Sequence, residues 1–462
     1  MKEFDIIVIG AGAGTKLVTP PSLIGKKVAV FEKETPGGTC LNRGCIPSKM
    51  LIYPSELLRI ADDSEKYPVH FKERPKADFK MIVQRLNETV KKDSDSIPVA
   101  YEKNPNIQYF HKQVRFVSNK VVSDGIESYT APYIFIVVGT RPQIPNIPGL
   151  LDTPYWTSRE ALQAETLPKS MLCLGAGFIS MELGCAYQSY GCDVVGITRG
   201  EILRGIDGEV RQELEAHLPF PIHKNVNIES VSYENKMFTV VGKDKTGNTI
   251  ELSAERLLVA TGIKPNTDDL GIEHTKIQLN ENGYIQVNDE LETDEPGIYS
   301  FGDVIGRYFY RHSANFEGEY LFQNLFQTSE KKPIQYPPVP GAVFTHPQIA
   351  HVGFTEEELI QKNIPYYKGV NPYSSSAMGM ARMSNVGFVK VLVDASTEKV
   401  LGAHIIGEEA SNLIHQLIFG MSLGAKLNDY LDMIYIHPAI AEITRNAFRK
   451  VRESKEKQGK KI

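Results

Sequence analysis

Short uninterrupted apolar runs recur along the chain and end on glycines or on a single polar residue, the pattern of buried strands in βαβ units. Residues 6–9 lead into Gly10-Ala11-Gly12-Ala13-Gly14, and residues 27–31 end at Glu32. Residues 172–174 lead into Gly175-Ala176-Gly177-Phe178-Ile179-Ser180, and residues 193–197 end at Thr198. Further runs at 256–260 and 297–301 deliver Thr261-Gly262 and Gly302-Asp303. Helices are expected over 50–61, 80–92 and 181–190, and short strands over 107–138. A proline-rich connection over 142–154 reads as a domain boundary. Residues 341–448 change character, with hairpin-like strands at 387–393 and 400–406 beside helices, and read as a separate α+β domain.

The first two glycine runs are dinucleotide fingerprints. Glycines let the backbone approach a pyrophosphate, and an acid about 20 residues on takes the ribose hydroxyls. The first is irregular: Thr15 stands at the third glycine position, and Pro20-Pro21 cut short the helix that should follow. In the second, Thr198 replaces the acid, with Arg199 beside it and Arg204 nearby. A 2′-phosphate is repelled by carboxylate and pairs with arginine, so this site points to NADP(H) rather than NAD(H). Two sites mean two dinucleotides, or a flavin and a nicotinamide. The stretches around Gly139-Thr140-Arg141-Pro142 and Gly262-Ile263-Lys264-Pro265 look like matching exits from the two nucleotide domains.

Composition sets the class and excludes some partners. A length of 462 residues suggests three or four domains, and 42% hydrophobic with 23% charged residues fits a soluble globular protein. A net charge of −5 gives no basis for nucleic acid or an acidic membrane surface as partner. The basic tail, 449–461, reads as a solvated helix end. Neither a signal peptide nor an apolar stretch of about 20 residues is visible, so a cytoplasmic location is expected.

Two of the five cysteines, Cys40 and Cys45, lie in Gly37-Gly38-Thr39-Cys40-Leu41-Asn42-Arg43-Gly44-Cys45-Ile46-Pro47-Ser48-Lys49. On a straight helix they would be about 7.5 Å apart along the axis, so pairing requires a bend, which Asn42 and Gly44 tolerate. Pro47 suits a first helical turn, placing Cys45 where a helix dipole favours thiolate. From these residues alone, a redox-active pair and two unpaired thiols both stand. Cys173, Cys185 and Cys192 have no partner at a redox or metal spacing and read as small buried residues.

In their order along the chain, the cysteine stretch, Ser300-Phe301-Gly302-Asp303 and His437-Pro438 followed by Glu442 resemble the FAD-dependent pyridine nucleotide–disulfide oxidoreductases. The resemblance covers nearly the whole chain. It implies two Rossmann-like domains, for FAD and NAD(P), plus the C-terminal α+β domain, which would form a homodimer interface. The implied divisions are FAD domain 1–147, NAD(P) domain 148–266, central domain 267–340 and interface domain 341–462. Gly10, Gly12, Gly14, Glu32, Gly38, Thr39, Gly139, Asp303, His312 and Ala314 would contact FAD. Gly175, Gly177, Phe178, Ile179, Thr198, Arg199, Arg204 and Gly262 would contact NAD(P), with Phe178 shielding the flavin.

The resemblance also assigns chemistry. Cys45 would face the flavin as the charge-transfer thiolate and Cys40 would attack the substrate disulfide, with Lys49 paired to Glu182 beside the flavin. His437, oriented by Glu442, would exchange protons with the thiols of the other subunit's active site. Within the family, the truncated first helix, Thr198-Arg199-Gly200, His312-Ser313-Ala314-Asn315 and Tyr435-Ile436-His437-Pro438-Ala439 resemble mycothione reductase. The implied reaction is reduction of a low-molecular-weight disulfide by NADPH, with NADH as the other donor. The alternatives are an NAD-dependent dihydrolipoyl dehydrogenase and a flavoprotein that serves as a docking component. Mercuric reductase is disfavoured because no cysteine pair stands near the carboxyl end.

Overall fold

In the computed structural model, which describes residues 1–459, strand Ile6–Ile9 is buried along its length at the centre of a five-stranded parallel sheet. The order is Ile298–Ser300, Tyr133–Ile136, Ile6–Ile9, Val28–Phe31, Ile107–Phe110. The strand that delivers Asp303 thus belongs to the same sheet as the first fingerprint, although some 290 residues of chain separate them. A four-stranded parallel sheet carries the second fingerprint, in the order Ile222–Lys224, Asp193–Thr198, Ser170–Leu174, Arg256–Val259.

The matching exits pair with each other. Thr140–Pro142 and Ile263–Pro265 form a two-stranded antiparallel ribbon between the two nucleotide-binding units. Arg141 reinforces it by donating to the Pro265 carbonyl at 2.8 Å and to Asn266 Oδ1 at 3.0 Å.

The C-terminal unit is a five-stranded antiparallel sheet packed against helices Ala410–Ser422 and Glu442–Gly459. It is fastened to the second nucleotide unit by Lys390, 1% exposed, whose Nζ lies 2.9 Å from the wholly buried Asp207 and 2.6 Å from Glu356. A common hydrophobic core joins Leu51 of the cysteine-bearing helix, Met181 and Leu183 of the second fingerprint helix, and Val343 and Ile349 of the C-terminal sheet. That core packs the cysteine helix against the second fingerprint helix and the C-terminal sheet.

Two expected helices differ in extent. The first, Cys45–Asp63, begins at the cysteine itself, and the second, Phe79–Glu102, runs ten residues past its expected end. Lys91 and Asp95 form an exposed i,i+4 ion pair across the expected end. The final helix continues to Gly459, and residues 460 and 461 of the expected basic tail lie outside the described residues. Among the described residues no helix is long and apolar enough to cross a membrane.

Candidate active site

Gly37 and Gly38 adopt positive φ angles of 107° and 66° and bring the cysteine loop onto the first fingerprint. A Cβ at Gly38 would lie 2.7 Å from the Gly12 Cα, so this approach requires glycine. Cys40 sits on the short helix Gly38–Arg43, Gly44 breaks the chain direction at φ −141°, ψ −114°, and Cys45 opens the next helix. The expected bend is therefore at Gly44. Asn42 stays helical and pins the loop, its Nδ2 donating to the Thr35, Pro36 and Gly38 carbonyls at 2.9–3.1 Å.

Both cysteines are free thiols, and each bears on the ionisation of the other. The Cys40 thiol lowers the Cys45 thiol to about 7; burial opposes this, and the charges of Lys49 and Arg311 assist it. Cys45 in turn, together with burial, pushes Cys40 well above the ordinary thiol range. One negative charge is shared by the pair and rests on Cys45, the sulfur at the helix N-terminus.

Lys49, one turn further on, pairs with Glu182 at 2.7 Å. Glu182 is buried on helix Phe178–Tyr190, and its other oxygen accepts the Phe344 N–H at 3.0 Å. Lys49 Nζ also stands 4.3 Å from the centre of the Phe344 ring. Phe344 went unnoticed in the sequence, where nothing marks its contact with Lys49.

A cleft of about 590 Å³ runs from Glu32 past the cysteines. Gly10, Gly12, Gly38, Thr39, Gly139 and Ala314 line it, together with Glu32, Asp303 and both cysteines. Glu32 accepts the Ala11 N–H at 2.8 Å and the Glu34 N–H at 2.9 Å, while burial raises its pKa. Asp303 accepts the Thr140 hydroxyl at 3.0 Å and is likewise raised by burial. Gly14 stands outside this lining; a Cβ there would come within 2.8 Å of Val8, so it serves the packing of the turn on its strand. His312 is also outside, its Nε2 bonded to the Pro340 carbonyl at 2.9 Å and its ring stacked on Tyr310.

From the second fingerprint, Ile179 reaches the cleft, whereas Phe178, 38% exposed, is not part of its wall. Arg311 lines the cleft and was missed in the sequence. Its signal was a cation in the first turn of helix Arg311–Phe326, where the dipole disfavours positive charge.

The second fingerprint repeats the geometry of the first turn. Gly175 has φ 102° and Gly262 φ 134°, and a Cβ on Gly175 would collide with the Ala260 carbonyl. Gly177 caps helix Phe178–Tyr190. Thr198 ends its strand, and Arg199 and Arg204 are exposed and make no ion pair among the described residues. The turn's one carboxylate, Glu201, is engaged by Lys224 at 3.3 Å and Arg211 at 3.8 Å.

His437 and Glu442 meet as expected, with Nδ1 3.0 Å from Oε2. The last helix begins at Glu442, with the His-Pro step outside it. Burial works against the Glu442 charge, yet the Ala439 N–H, His437 and Arg445 hold its carboxyl below the ordinary range. The His437 side chain is 70% exposed and does not line the cleft of its own chain.

Comparison with known proteins agrees with this architecture. The family model described as pyridine nucleotide-disulphide oxidoreductase matches residues 4–318, and that family's dimerisation domain matches residues 339–448. The chain belongs to the pyridine nucleotide–disulfide oxidoreductases. Similar relatives are the dihydrolipoyl dehydrogenases of Haloferax volcanii, 30% identical over 96% of this chain and 95% of that one, and Halobacterium salinarum, 31% identical with the same coverage. The mercuric reductase of Staphylococcus aureus is 27% identical over 95% of this chain and 81% of its own. Among solved structures, the Cu(II) complex of the HOCl-induced flavoprotein disulfide reductase RclA from Escherichia coli superimposes with a TM-score of 0.87 at 25% identity, covering 97% of this chain and 99% of that one.

This pyridine nucleotide–disulfide oxidoreductase is an enzyme that binds FAD, uses NAD(P)H and forms a homodimer. Its residues fit the flavin. The glycine-lined turn, the acid at the strand end and the half-buried Asp303 supply the backbone approach and the acceptors a dinucleotide requires. Cys173, Cys185 and Cys192 are each 1% exposed or less and take no part in the site.

Proposed function

We propose that this oxidoreductase is an NADPH-dependent reductase of a low-molecular-weight disulfide, of the mycothione reductase kind. The observation that carries the reading is the second ribose site: no free carboxylate at the strand end, and two exposed arginines without ion-pair partners among the described residues. Gly175, Gly177 and Gly262 would admit the pyrophosphate, with Thr198, Arg199 and Arg204 at the 2′-phosphate. Gly10, Gly12, Gly38 and Thr39 would hold the FAD pyrophosphate, Glu32 its ribose and Asp303 its ribityl chain. FAD, when bound, supplies the two-electron link between nicotinamide and the cysteine pair.

The remaining steps belong to the chain's own residues. Cys40 gives its proton to His437 of the other subunit as it attacks one sulfur of the substrate disulfide, forming a mixed disulfide and releasing a thiolate. His437 of the other subunit protonates that leaving group, its Nε2 being free because Nδ1 is held by Glu442. Cys45, already a thiolate near neutral pH, then attacks Cys40 to expel the second thiol and restore the disulfide. Lys49, tied to Glu182, places a positive charge beside Cys45. The proposal divides the chain at 147, 266 and 340, gives 341–462 to the dimer interface, and places the enzyme in the cytoplasm, where thiols are kept reduced.

A second reading, dihydrolipoyl dehydrogenase, is favoured by the names of the relatives at 30–31% identity. It uses the same residues with NAD⁺ and the reverse flux. Reduction of the enzyme under argon by NADPH or NADH, followed by titration with mycothione, glutathione disulfide and lipoamide, separates the two. NADPH with a small disulfide supports the first; NADH with fast lipoamide turnover replaces it by the second.

A further inference from the structure

The acid–base pair has a third member. Glu442 is only 4% exposed, and its carboxylate is held from three directions: His437 Nδ1 at 3.0 Å and the Ala439 N–H at 3.2 Å on Oε2, and Arg445 Nη2 at 2.8 Å on Oε1. Arg445 lies one helical turn on, its side chain 20% exposed, with its guanidinium 5.1 Å from the centre of the Tyr435 ring. Its Nε is buried and has no hydrogen-bond partner among the described residues. An exposed i,i+3 pair of this kind would contribute little. This pair is neither exposed nor remote, because its carboxylate is the one that orients the histidine.

We propose that Arg445 is a positioning residue for proton transfer: it fixes the Glu442 carboxylate, and through it the His437 ring, and limits how strongly that carboxylate holds a proton on the ring. The terminal torsion of a glutamate is broad, so a carboxylate held only by the histidine could swing with it. With Oε1 clamped by Arg445, Oε2 has one direction left, and the imidazole is aimed with Nε2 outward. The permanent guanidinium charge also offsets part of the attraction between Glu442 and an imidazolium. The ring can then take a proton from a thiol as it becomes thiolate and give it back to a departing thiolate; no electrons move at this site.

Neighbouring elements bring no second cation to Glu442 among the described residues. Helix Leu427–Leu431 contributes Asp429, which accepts the Lys426 N–H at 2.7 Å, and Tyr430, stacked on Phe448 at 4.2 Å. Strand Tyr366–Pro372 meets the later turns of the helix, near Ala447 and Val451. Tyr435 faces Arg445.

The inference rests on the acid–base role proposed above for His437, and its test separates the two. Oxidised FAD-loaded dimers of wild type, Arg445→Gln, Arg445→Lys and His437→Gln are reduced by dihydrolipoamide in stopped flow across pH 5–9, a range spanning the ordinary histidine value of about 6.5. Removing the charge in Arg445→Gln should slow reduction about tenfold at neutral pH and move the acidic limb up by about one pH unit. Arg445→Lys should be slower than wild type with its limb in the wild-type position, and flavin reduction by NADPH should be unchanged in both. A slower Arg445→Gln with an unmoved limb, or a moved limb in Arg445→Lys, overturns the inference, and the lysine variant alone suffices if the glutamine variant does not fold. A His437→Gln profile that coincides with wild type overturns the underlying role of His437 instead.

Discussion

Each of the two nucleotide fingerprints joins a strand of a parallel sheet to a positive-φ glycine, yet the chain beyond the glycines is built differently in the two. After Gly12 the chain forms a 3-10 turn, Ala13–Leu17, and a five-residue helix opened by Thr19-Pro20-Pro21. After Gly177 it forms an unbroken 13-residue helix. The first turn is closed from outside, by Gly38 against Gly12 and by Arg311 across the cleft, and so makes a cradle. The second relies on its long helix, which also carries Glu182 to Lys49 and links the nucleotide site to the cysteine pair. The strand ends differ as well: a half-buried Glu32 bonded to two backbone N–H groups in one, Thr198 with two exposed arginines in the other. One motif can therefore be tuned at its strand end for a ligand while its helix is free to serve another site.

The comparison breaks most severely at the relay between the two sites. Cys45→Ser should lower turnover by about 10³-fold or more, while NADPH still reduces the flavin, because the nucleotide halves survive and only the sulfur path is cut. Loss of the long-wavelength absorbance of the two-electron-reduced enzyme checks this; its persistence in the serine variant would reassign the flavin-side thiol. Exchanging the strand ends comes next. Thr198→Glu combined with Arg199→Ala should shift the NADPH-to-NADH ratio of kcat/KM by about 100-fold towards NADH, a carboxylate now repelling the 2′-phosphate. An unchanged ratio would mean that the arginines touch no ligand.

The pH dependence of the reduced enzyme follows from Cys45. Its thiol is lowered from the ordinary value to about 7, so the thiolate and its absorbance should be present above neutrality and fade as pH falls through that value. Lys49→Met removes one of the charges responsible and should move the midpoint upward, as a spectrophotometric titration would show. The smallest effect is expected in the cradle. Glu32→Gln turns one acceptor into a donor facing an N–H, which should weaken FAD binding about tenfold in an apoprotein titration, with the nucleotide ratio untouched.

Much of this difference was legible in the sequence because it is local. Gly10, Gly175 and Pro20-Pro21 act on their own turns, and Pro47 marked the helix that begins at Cys45. The two exits were recognisable as a pair because each repeats a glycine followed by a proline, and they do pair as strands. What escaped was non-local. Phe344 meets Lys49 across 295 residues of chain, and Arg311 acts on cysteines more than 260 residues before it. The start of the last helix is set by a contact of the same kind: Glu442 accepts the Ala439 N–H, and the His-Pro step remains outside. Phe178 and Ile179 are neighbours in sequence, and only helix phase decides that Ile179 faces the cleft.

The central claim is that the second fingerprint reads a 2′-phosphate while the first holds the flavin. Stopped-flow reduction of the FAD-loaded dimer by NADPH and by NADH, over a range of nucleotide concentrations without oxygen or disulfide, tests it most directly. The account predicts at least about tenfold tighter apparent binding of NADPH, with the gap narrowing as salt rises. Equal or tighter binding of NADH, insensitive to salt, would contradict it.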